Sequence, residues 1–425
     1  MGMPTIQAVR GMNDVLPEEA ALWERIEDAA RETFAQYGYR NLRVPIVEPT
    51  ALFVRGIGNA TDIVEKEMYT FDDHGESLTL RPEATAGIVR AAIEHNLTYE
   101  RPQRVWTSGP MFRHERPQKG RYRQFHQLDA EALGFAGPDV DAEQIAMLAR
   151  LWKKLGLTAM SLSINSIGDP HERLAHRNAL AAYFQSNFDK LDENSKRRVK
   201  TNPLRILDSK KPEMQSIIAG APKLVDHLDA QSKSRQHFLE LQAMLKQAGI
   251  AFEVNPRLVR GLDYYNRTVF EWITDRLGAQ GTVAGGGRYD FLFSQLGGEQ
   301  THACGFAVGV ERLVLLLHGA GTQASIAPLA YVVHVGSDAT SVLARQVAEA
   351  LRDAGLAIVV NAGGGSFKAQ MKRADASGAR WALIVGDDEM TANRVAVKPL
   401  RAAGEQIALP PEEVAAHLRA AVEKK

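Results

Sequence analysis

The 425-residue sequence predicts a protein of two α/β parts. The first is a mixed α+β domain over residues 1–325, interrupted by a helical insertion at about 171–253. The second is a smaller α/β domain over 328–425. Three observations predict this. From Tyr331 onward, short apolar strands alternate with helices, the rhythm of a compact α/β domain with a largely parallel sheet. Residues 171–253 are helical pieces broken at Pro203, Pro212 and Pro222. The stretch from Met111 to Glu131 reads as two strands joined by a charged turn.

Composition bounds what such a chain does. Lys plus Arg and Asp plus Glu both total 51, so net charge points to no polyanionic partner, and DNA binding is not expected. A single cysteine, Cys304, excludes an intrachain disulfide or a cysteine-built zinc site and fits a reducing compartment. No apolar signal core opens the chain, and no run of about 18 apolar residues crosses a membrane. A cytoplasmic protein is the expectation.

Taken in order, Asp14–Tyr37 reads as a helix, with Leu22, Ile26, Ala29, Ala30 and Phe34 on its apolar face and Gly38 as its stop. Leu42, Val44, Ile46 and Val47 read as a strand that Pro45 and Pro49 push to a sheet edge. In 78–96, Arg81, Glu83 and Thr85 alternate on a strand that runs into a helix, with Thr85 as candidate N-cap. In the hairpin, alternation places Arg113 and Glu115 on one face, facing Arg121, Arg123, Phe125, Gln127, Asp129 and Glu131. This face suits a planar ring carrying phosphates, and it suits a solvated, salt-bridged surface equally. Asp141–Leu155 is a helix stopped by Gly156, and 161–170 a strand ending in a turn.

The insertion holds eight basic residues against three acidic ones between Lys190 and Lys211, either a solvated helix face or a phosphate contact. Strands return around 251–260 and 268–273. The glycines of 281–290 lack the residues of a P-loop, so they signal close backbone approach instead. Gly305–Val310 then leads into an apolar helix at Glu311 and Arg312. A cation at a helix start opposes the helix dipole unless an anion sits beside it. In the last domain, the glycine-rich turn 361–365 with Lys368, Lys372 and Arg373 lies at a strand's C-terminal end, where such sheets bind ligands.

Three of these segments resemble, in order, the signature motifs of class II aminoacyl-tRNA synthetases. Gly38, Tyr39, Leu42, Pro45, Ile46 and Val47 resemble the first, which in that class builds a dimer interface. Phe112-Arg113-His114-Glu115, with Arg121, Phe125 and Asp129, resembles the second. Gly305–Leu317 around Glu311-Arg312 resembles the third. LVRGLDYYNRTVFEW (258–272) and AGGGRYD (284–290) are similar to two signatures of the histidyl-tRNA synthetases of bacterial type. The resemblance spans essentially the whole chain. Ala84, Gly285 and Phe291 depart from the residues more usual there.

The resemblance implies an antiparallel-sheet catalytic domain with a C-terminal anticodon-binding domain, acting as a homodimer on L-histidine, ATP with Mg²⁺, and tRNA(His). Histidine is activated to histidyl-adenylate with release of pyrophosphate, then passed to the tRNA 3′ end. It further implies catalytic roles for Arg260 and Arg113, and ATP contacts from Arg113, Arg121, Phe125 and Arg312. Phe125 stacks on adenine and Arg312 meets the γ-phosphate. Histidine falls to Glu83, Ala84, Thr85, Gln127, Glu131, Arg260, Tyr264 and Tyr265, with Glu131 and Tyr264 reading the imidazole. Arg116, Gln118 and Arg123 face tRNA, and no protein metal site is implied. Two rivals remain: a non-catalytic histidine-sensing paralogue on the same fold, and a ligase passing its adenylate to an acceptor other than tRNA. The paralogue tends to lose the motif arginines and the C-terminal domain, all present here.

Overall fold

The computed structural model describes every residue except 1, 2, 4, 60, 208, 210, 225–230, 323–326, 424 and 425. The chain divides into two compact units, residues 1–324 and 325–425.

In the first unit, α1 (Pro17–Gln36) starts with Pro17 at a position where the missing N–H is harmless. The proline-rich stretch after it splits into two short strands, β1 (Arg40–Asn41) and β2 (Val47–Pro49), which join different sheets. α2 (Thr50–Ile57) precedes the hairpin β3 (Tyr69–Asp73) and β4 (Glu76–Leu80), which pairs with β2 in a three-stranded sheet. α3 (Thr85–Glu94) leads to the long hairpin β5 (Gln103–Phe112) and β6 (Gln124–Leu133), and then to α4 (Pro138–Leu155) and β7 (Ser161–Ser166).

The helical stretch comprises α5 (Pro170–Ser186), α6 (Glu193–Thr201), α7 (Pro212–Ala219) and α8 (Lys233–Gln247). It is not a single body. Leu180, Phe184, Val199, Ile206, Met214 and Ile218 form their own cluster. Phe238, Leu241 and Leu245 of α8 instead join the main core. β8 (Glu253–Val254), β9 (Asn266–Ile273), β10 (Thr282–Arg288), α9 (Leu292–Gln295), β11 (Ala303–Gly309) and α10 (Val310–Gly319) complete the unit.

The main sheet has the order β1-β5-β6-β11-β10-β9-β7-β8. It is antiparallel through its middle and parallel only at its two edge pairs. Leu128, Ala130 and Ala132 of β6 pack with α1, α4, α8 and α10 on one face. The alternate residues of β6 therefore project from the other face. There Val105, Met111 and Leu133 pack with α3, Tyr264, Tyr265 and Tyr289.

The second unit contains β12 (Ala330–His334), α11 (Asp338–Asp353), β13 (Ile358–Val360), α12 (Phe367–Ala376), β14 (Trp381–Val385), α13 (Asp387–Thr391), β15 (Val395–Pro399), β16 (Ile407–Leu409) and α14 (Pro411–Glu423). Its sheet is mixed where a largely parallel one was expected. β13-β12-β14 are parallel, whereas β15 and β16 run antiparallel. The link from Pro399 to Ile407 is too short for a crossover helix, so these strands can pair only antiparallel.

Candidate active site

A cleft on the open face of the main sheet encloses a cavity of about 190 Å³. Phe125, Gln127 and Asp129 of β6 line its floor, and Glu131 lies at the deep end of the same row. The neighbouring strand keeps that end open through glycine. A Cβ on Gly305, which pairs with Glu131, would fall on the Glu131 carboxylate and 3.0 Å from the Ala130 carbonyl. The triple glycine of β10 works similarly: a Cβ on Gly285 would press within 2.6 Å of the Arg260 guanidinium.

The deep end is acidic. Glu83 precedes α3 and caps it, accepting from Thr85 N at 3.0 Å and Ala86 N at 2.8 Å. Thr85, expected as the cap, is the first helical residue, and its hydroxyl donates to Glu131 at 2.7 Å. The other Glu131 oxygen accepts from the Tyr289 hydroxyl. The Tyr264 hydroxyl donates to Glu83 at 3.3 Å. Burial pushes the Glu131 carboxyl up to about 8. Burial, followed by the charges of Glu131 and Glu83, raises Asp129 well above the usual carboxylate range. Asp129 Oδ2 and Gln127 Oε1 are buried without a hydrogen-bond partner. The end thus combines three acidic groups with unpaired acceptors, an arrangement suited to a cationic, hydrogen-donating group.

The other end is basic. Arg113, Arg121, Arg260 and Arg312 line one cavity. Arg113 donates to the Pro82 carbonyl at 2.9 Å and lies over the Phe125 ring, 5.2 Å from its centroid. Arg121 pairs with Glu115, and Arg260 with Glu271. Arg312 enters from the first turn of α10 and donates to the Gly120 carbonyl at 3.3 Å and to the Thr282 carbonyl. Its pKa is lowered by burial, then by Arg121 and Arg113. Guanidiniums crowded enough to destabilise one another's charge suit a polyanion.

Several expected site residues are placed differently. The strands of the hairpin end at Phe112 and Gln124, so Arg113, Glu115, Arg121 and Arg123 lie in the connecting loop. A tight turn closes that loop between Gln118 and Arg121, with Gly120 in a left-handed conformation at φ +74°. Arg116 and Gln118 are exposed. Arg123, expected to face RNA, is half-buried and donates to the carbonyls of Glu115 at 3.2 Å and Arg10 at 3.4 Å. Ala84 is fully buried behind the wall and does not line the cavity. Glu131 does not line it either, because Thr85 and Tyr289 cover its oxygens. In the basic window, Lys196, Arg198 and Lys211 pair with Glu193, Asp62 and Asp192, while Arg197 and Lys200 are exposed. Asp208 and Lys210 lie outside the described residues.

Sequence reasoning missed Tyr289, Asp129 and Glu271 as site residues. Asp129 carried a signal in its place in the alternating row, and Glu271 and Tyr289 lie within the two signature segments 258–272 and 284–290 without a role read for either.

Among the described residues, no group of three or more His, Cys, Asp or Glu side chains could hold a metal ion, and no helix is long and apolar enough to cross a membrane.

Residues 11–313 match the family model for histidyl-tRNA synthetase, and residues 329–421 that for an anticodon binding domain. The chain is similar to the histidine–tRNA ligase of Methylobacillus flagellatus, 59% identical over 403 residues, covering 94% of this chain and 96% of that one. It is 60% identical over 405 residues to the histidine–tRNA ligase of Nitrosomonas europaea, covering 95% and 96%. The crystal structure of apo S. aureus histidyl-tRNA synthetase superimposes with a TM-score of 0.80 at 33% identity, covering 98% of this chain and all of that one.

Proposed function

This chain belongs to the histidyl-tRNA synthetase family and is an ATP-dependent histidine–tRNA ligase; from that premise we propose how its residues divide the reaction. The observation that carries the assignment is one cavity that brings the Glu83 and Asp129 carboxylates together with the Arg113, Arg121, Arg260 and Arg312 guanidiniums.

Histidine enters the acidic end. Its ammonium group meets Glu83, Thr85 and Gln127, with Asp129 behind them. Its imidazole lies toward Tyr264 and Tyr289, backed by Glu131, and Tyr265 closes the wall. ATP occupies the basic end, with adenine against Phe125 and the phosphates among Arg113, Arg121 and Arg312. Arg260 stands between the two and bridges the histidine carboxylate and the α-phosphate. The carboxylate oxygen attacks the α-phosphorus, the bond to the bridging oxygen breaks, and pyrophosphate leaves. A ribose hydroxyl of the tRNA 3′ end then attacks the carbonyl, the carbonyl–phosphate oxygen bond breaks, and the hydroxyl proton passes to the departing AMP phosphate.

Neither step uses a protein nucleophile. Catalysis consists of alignment and of cations placed where negative charge gathers. Mg²⁺ usually binds nucleotide phosphates with only one or two carboxylates. In the cavity wall Glu115, paired with Arg121, and Glu311, which accepts from the His126 N–H at 2.8 and 3.0 Å, are the carboxylates that would hold it, and when bound it would neutralise phosphate charge.

Arg116 and Gln118 are assigned to the acceptor end of tRNA, and Arg197 and Lys200 to its stem. The turn before Lys368 is assigned to the anticodon. Arg123 is withdrawn from this set. Exposed Ile46 and Val47, at 41% and 40%, support a homodimer built on the first motif. A cytoplasmic location is supported by the lone buried thiol, Cys304.

Histidine-dependent ATP–pyrophosphate exchange followed by tRNA charging tests the reading. No exchange would favour a histidine-sensing paralogue. Exchange without charging would favour transfer to another acceptor.

A further inference from the structure

The segment from Arg260 to Tyr265 carries four of the pocket's side chains, those of Arg260, Leu262, Tyr264 and Tyr265, yet it belongs to no helix or strand. An irregular segment has no ladder to hold its main chain, so its carbonyls must find other donors. Here the donors come from the helical insertion. Arg205, in the turn after α6, donates from Nη2 to the Gly261 carbonyl at 2.8 Å. Arg173, on α5, donates from Nη2 to the Asp263 carbonyl at 2.9 Å and from Nη1 to the Tyr265 carbonyl at 2.5 Å. Alternate carbonyls of the segment are therefore gripped from one side by two guanidiniums.

The flanks of the segment are fixed as well. The Asp263 N–H donates to the Ile57 carbonyl at 3.1 Å, tying the segment to the end of α2. Just past Tyr265, Arg267 sits in the left-handed region at φ +48°, a conformation unfavourable for a side chain of its size. Its guanidinium makes a two-pronged contact with Asp169 at 2.8 and 3.1 Å. Asp169 and Glu172 form the capping box that starts α5, one residue before Arg173. The first turn of α5 is thus anchored to the strand that follows the segment, and it grips the segment in turn.

We infer that Arg173 and Arg205 are positioning residues for the amino-acid site: the helical insertion sets the conformation that presents Arg260, Tyr264 and Tyr265 to histidine. This rests on the reading that those side chains meet substrate. A forked guanidinium can satisfy two carbonyls at fixed spacing, which neither an amide nor an ammonium reproduces. Without it the segment samples conformations that do not bind, and apparent affinity falls by the fraction still competent. If about a tenth remains competent, the KM for histidine rises about tenfold.

The test measures exchange kinetics and thermal midpoints of the full chain with Arg173→Gln, Arg205→Gln, Arg173→Lys and Tyr264→Phe. Arg173→Gln is expected to raise the KM for histidine about tenfold and leave that for ATP within about twofold. Arg205→Gln, losing one carbonyl, gives a smaller rise in the same direction. Arg173→Lys falls between Arg173→Gln and the parent, and carries the test if Arg173→Gln does not fold. Parental histidine KM in the arginine variants overturns the inference, whatever Tyr264→Phe does. Equal losses for histidine and ATP with a lowered midpoint also overturn it, by reducing the arginines to general stabilisers. If the arginine variants are impaired and Tyr264→Phe is not, the assignment of Tyr264 to substrate fails while the positioning role stands.

Discussion

Replacing Arg260 separates catalysis from structure within one ion pair. Arg260 pairs with Glu271, their side chains 20% and 18% exposed, and burial, which lowers the arginine pKa, is outweighed only by Glu271 together with Tyr265 and Tyr264, which raise it. Arg260 Nε is buried and unpartnered, so the group has donor capacity to spare for substrate. Arg260→Gln removes one cation from the reacting centre, worth about 3–4 kcal/mol of transition-state stabilisation, or roughly 10²–10³ in kcat. It also leaves the Glu271 carboxylate with the Thr282 hydroxyl, at 3.1 Å, and the more distant charge of Arg312. Breaking a buried pair costs about 3–5 kcal/mol, and partial exposure reduces that to roughly 2–3 kcal/mol here. The single variant is therefore expected to be both slow and less stable. Adding Glu271→Gln removes the stranded charge. Thermal unfolding of Arg260→Gln/Glu271→Gln should recover most of the lost midpoint, while exchange stays about a hundredfold down. If exchange in the double variant returns to within about threefold of the parent, Arg260 acts only by neutralising Glu271, and the bridging role is wrong.

Glu131 gives a pH signature. Its folded carboxyl sits at about 8 against an ordinary 4.5, so the folded state holds a proton that the unfolded state has lost. Stability from this group is then undiminished below about pH 4.5 and falls as pH rises toward 8. Glu131→Gln should flatten the melting-temperature profile across that window and raise the midpoint at its upper end relative to the parent, as scanning calorimetry would record. Gly305→Ala forces a methyl onto the Glu131 carboxylate and should destabilise by about 1–3 kcal/mol or more, with a raised histidine KM. Parental values for both would show that β6 and β11 can move apart. Arg312→Gln should raise the KM for ATP about tenfold and leave that for histidine within about twofold; a matching rise for histidine in exchange kinetics would place Arg312 at the wrong end of the cavity.

The sequence made some of this legible for reasons that can be stated. The alternation of Phe125, Gln127 and Asp129 survived because those residues lie inside β6, where period two is enforced by the ladder. It failed for Arg121 and Arg123, which precede the strand, and for Arg113 and Glu115, which follow β5. Past a strand end no ladder fixes the side, and the Gly120 turn redirects the chain. Arg113 and Arg121 still reach the cavity, but by loop geometry that alternation does not describe. Thr85 was read as a cap because its side chain suits one, yet the longer Glu83 side chain reaches back to the same N–H groups from outside the helix. Tyr289 lies in the signature 284–290, but nothing in its spacing pointed to Glu131. Its hydroxyl meets Glu131 across β11, and only the register of β6, β11 and β10 brings them together. The place of α8 within the helical stretch is hidden for a related reason. Helical periodicity shows that α8 has an apolar face, and only packing shows that this face belongs to the main core.

On the proposed division of the site, its charge pattern would also set the direction in which substrates bind. Phe125 to Glu131 spans six residues of extended chain, roughly 20 Å, with the Arg113 guanidinium over the first and Thr85, whose N–H also meets Glu83, bonded to the last. Each group is strained by its own members: Asp129 by burial and then Glu131 and Glu83, Arg312 by burial and then Arg121 and Arg113. A cation at the deep end and a polyanion at the other relieve both at once, and the reverse placement worsens both. Histidine carries an ammonium and a carboxylate on one carbon. With the ammonium drawn inward, the carboxylate is left facing the arginines, beside Arg260. ATP, held by its phosphates among those arginines, presents its α-phosphorus to that carboxylate. Strain that each group bears alone is thus what aligns the nucleophile with its target, and binding energy is released only in the orientation that can react.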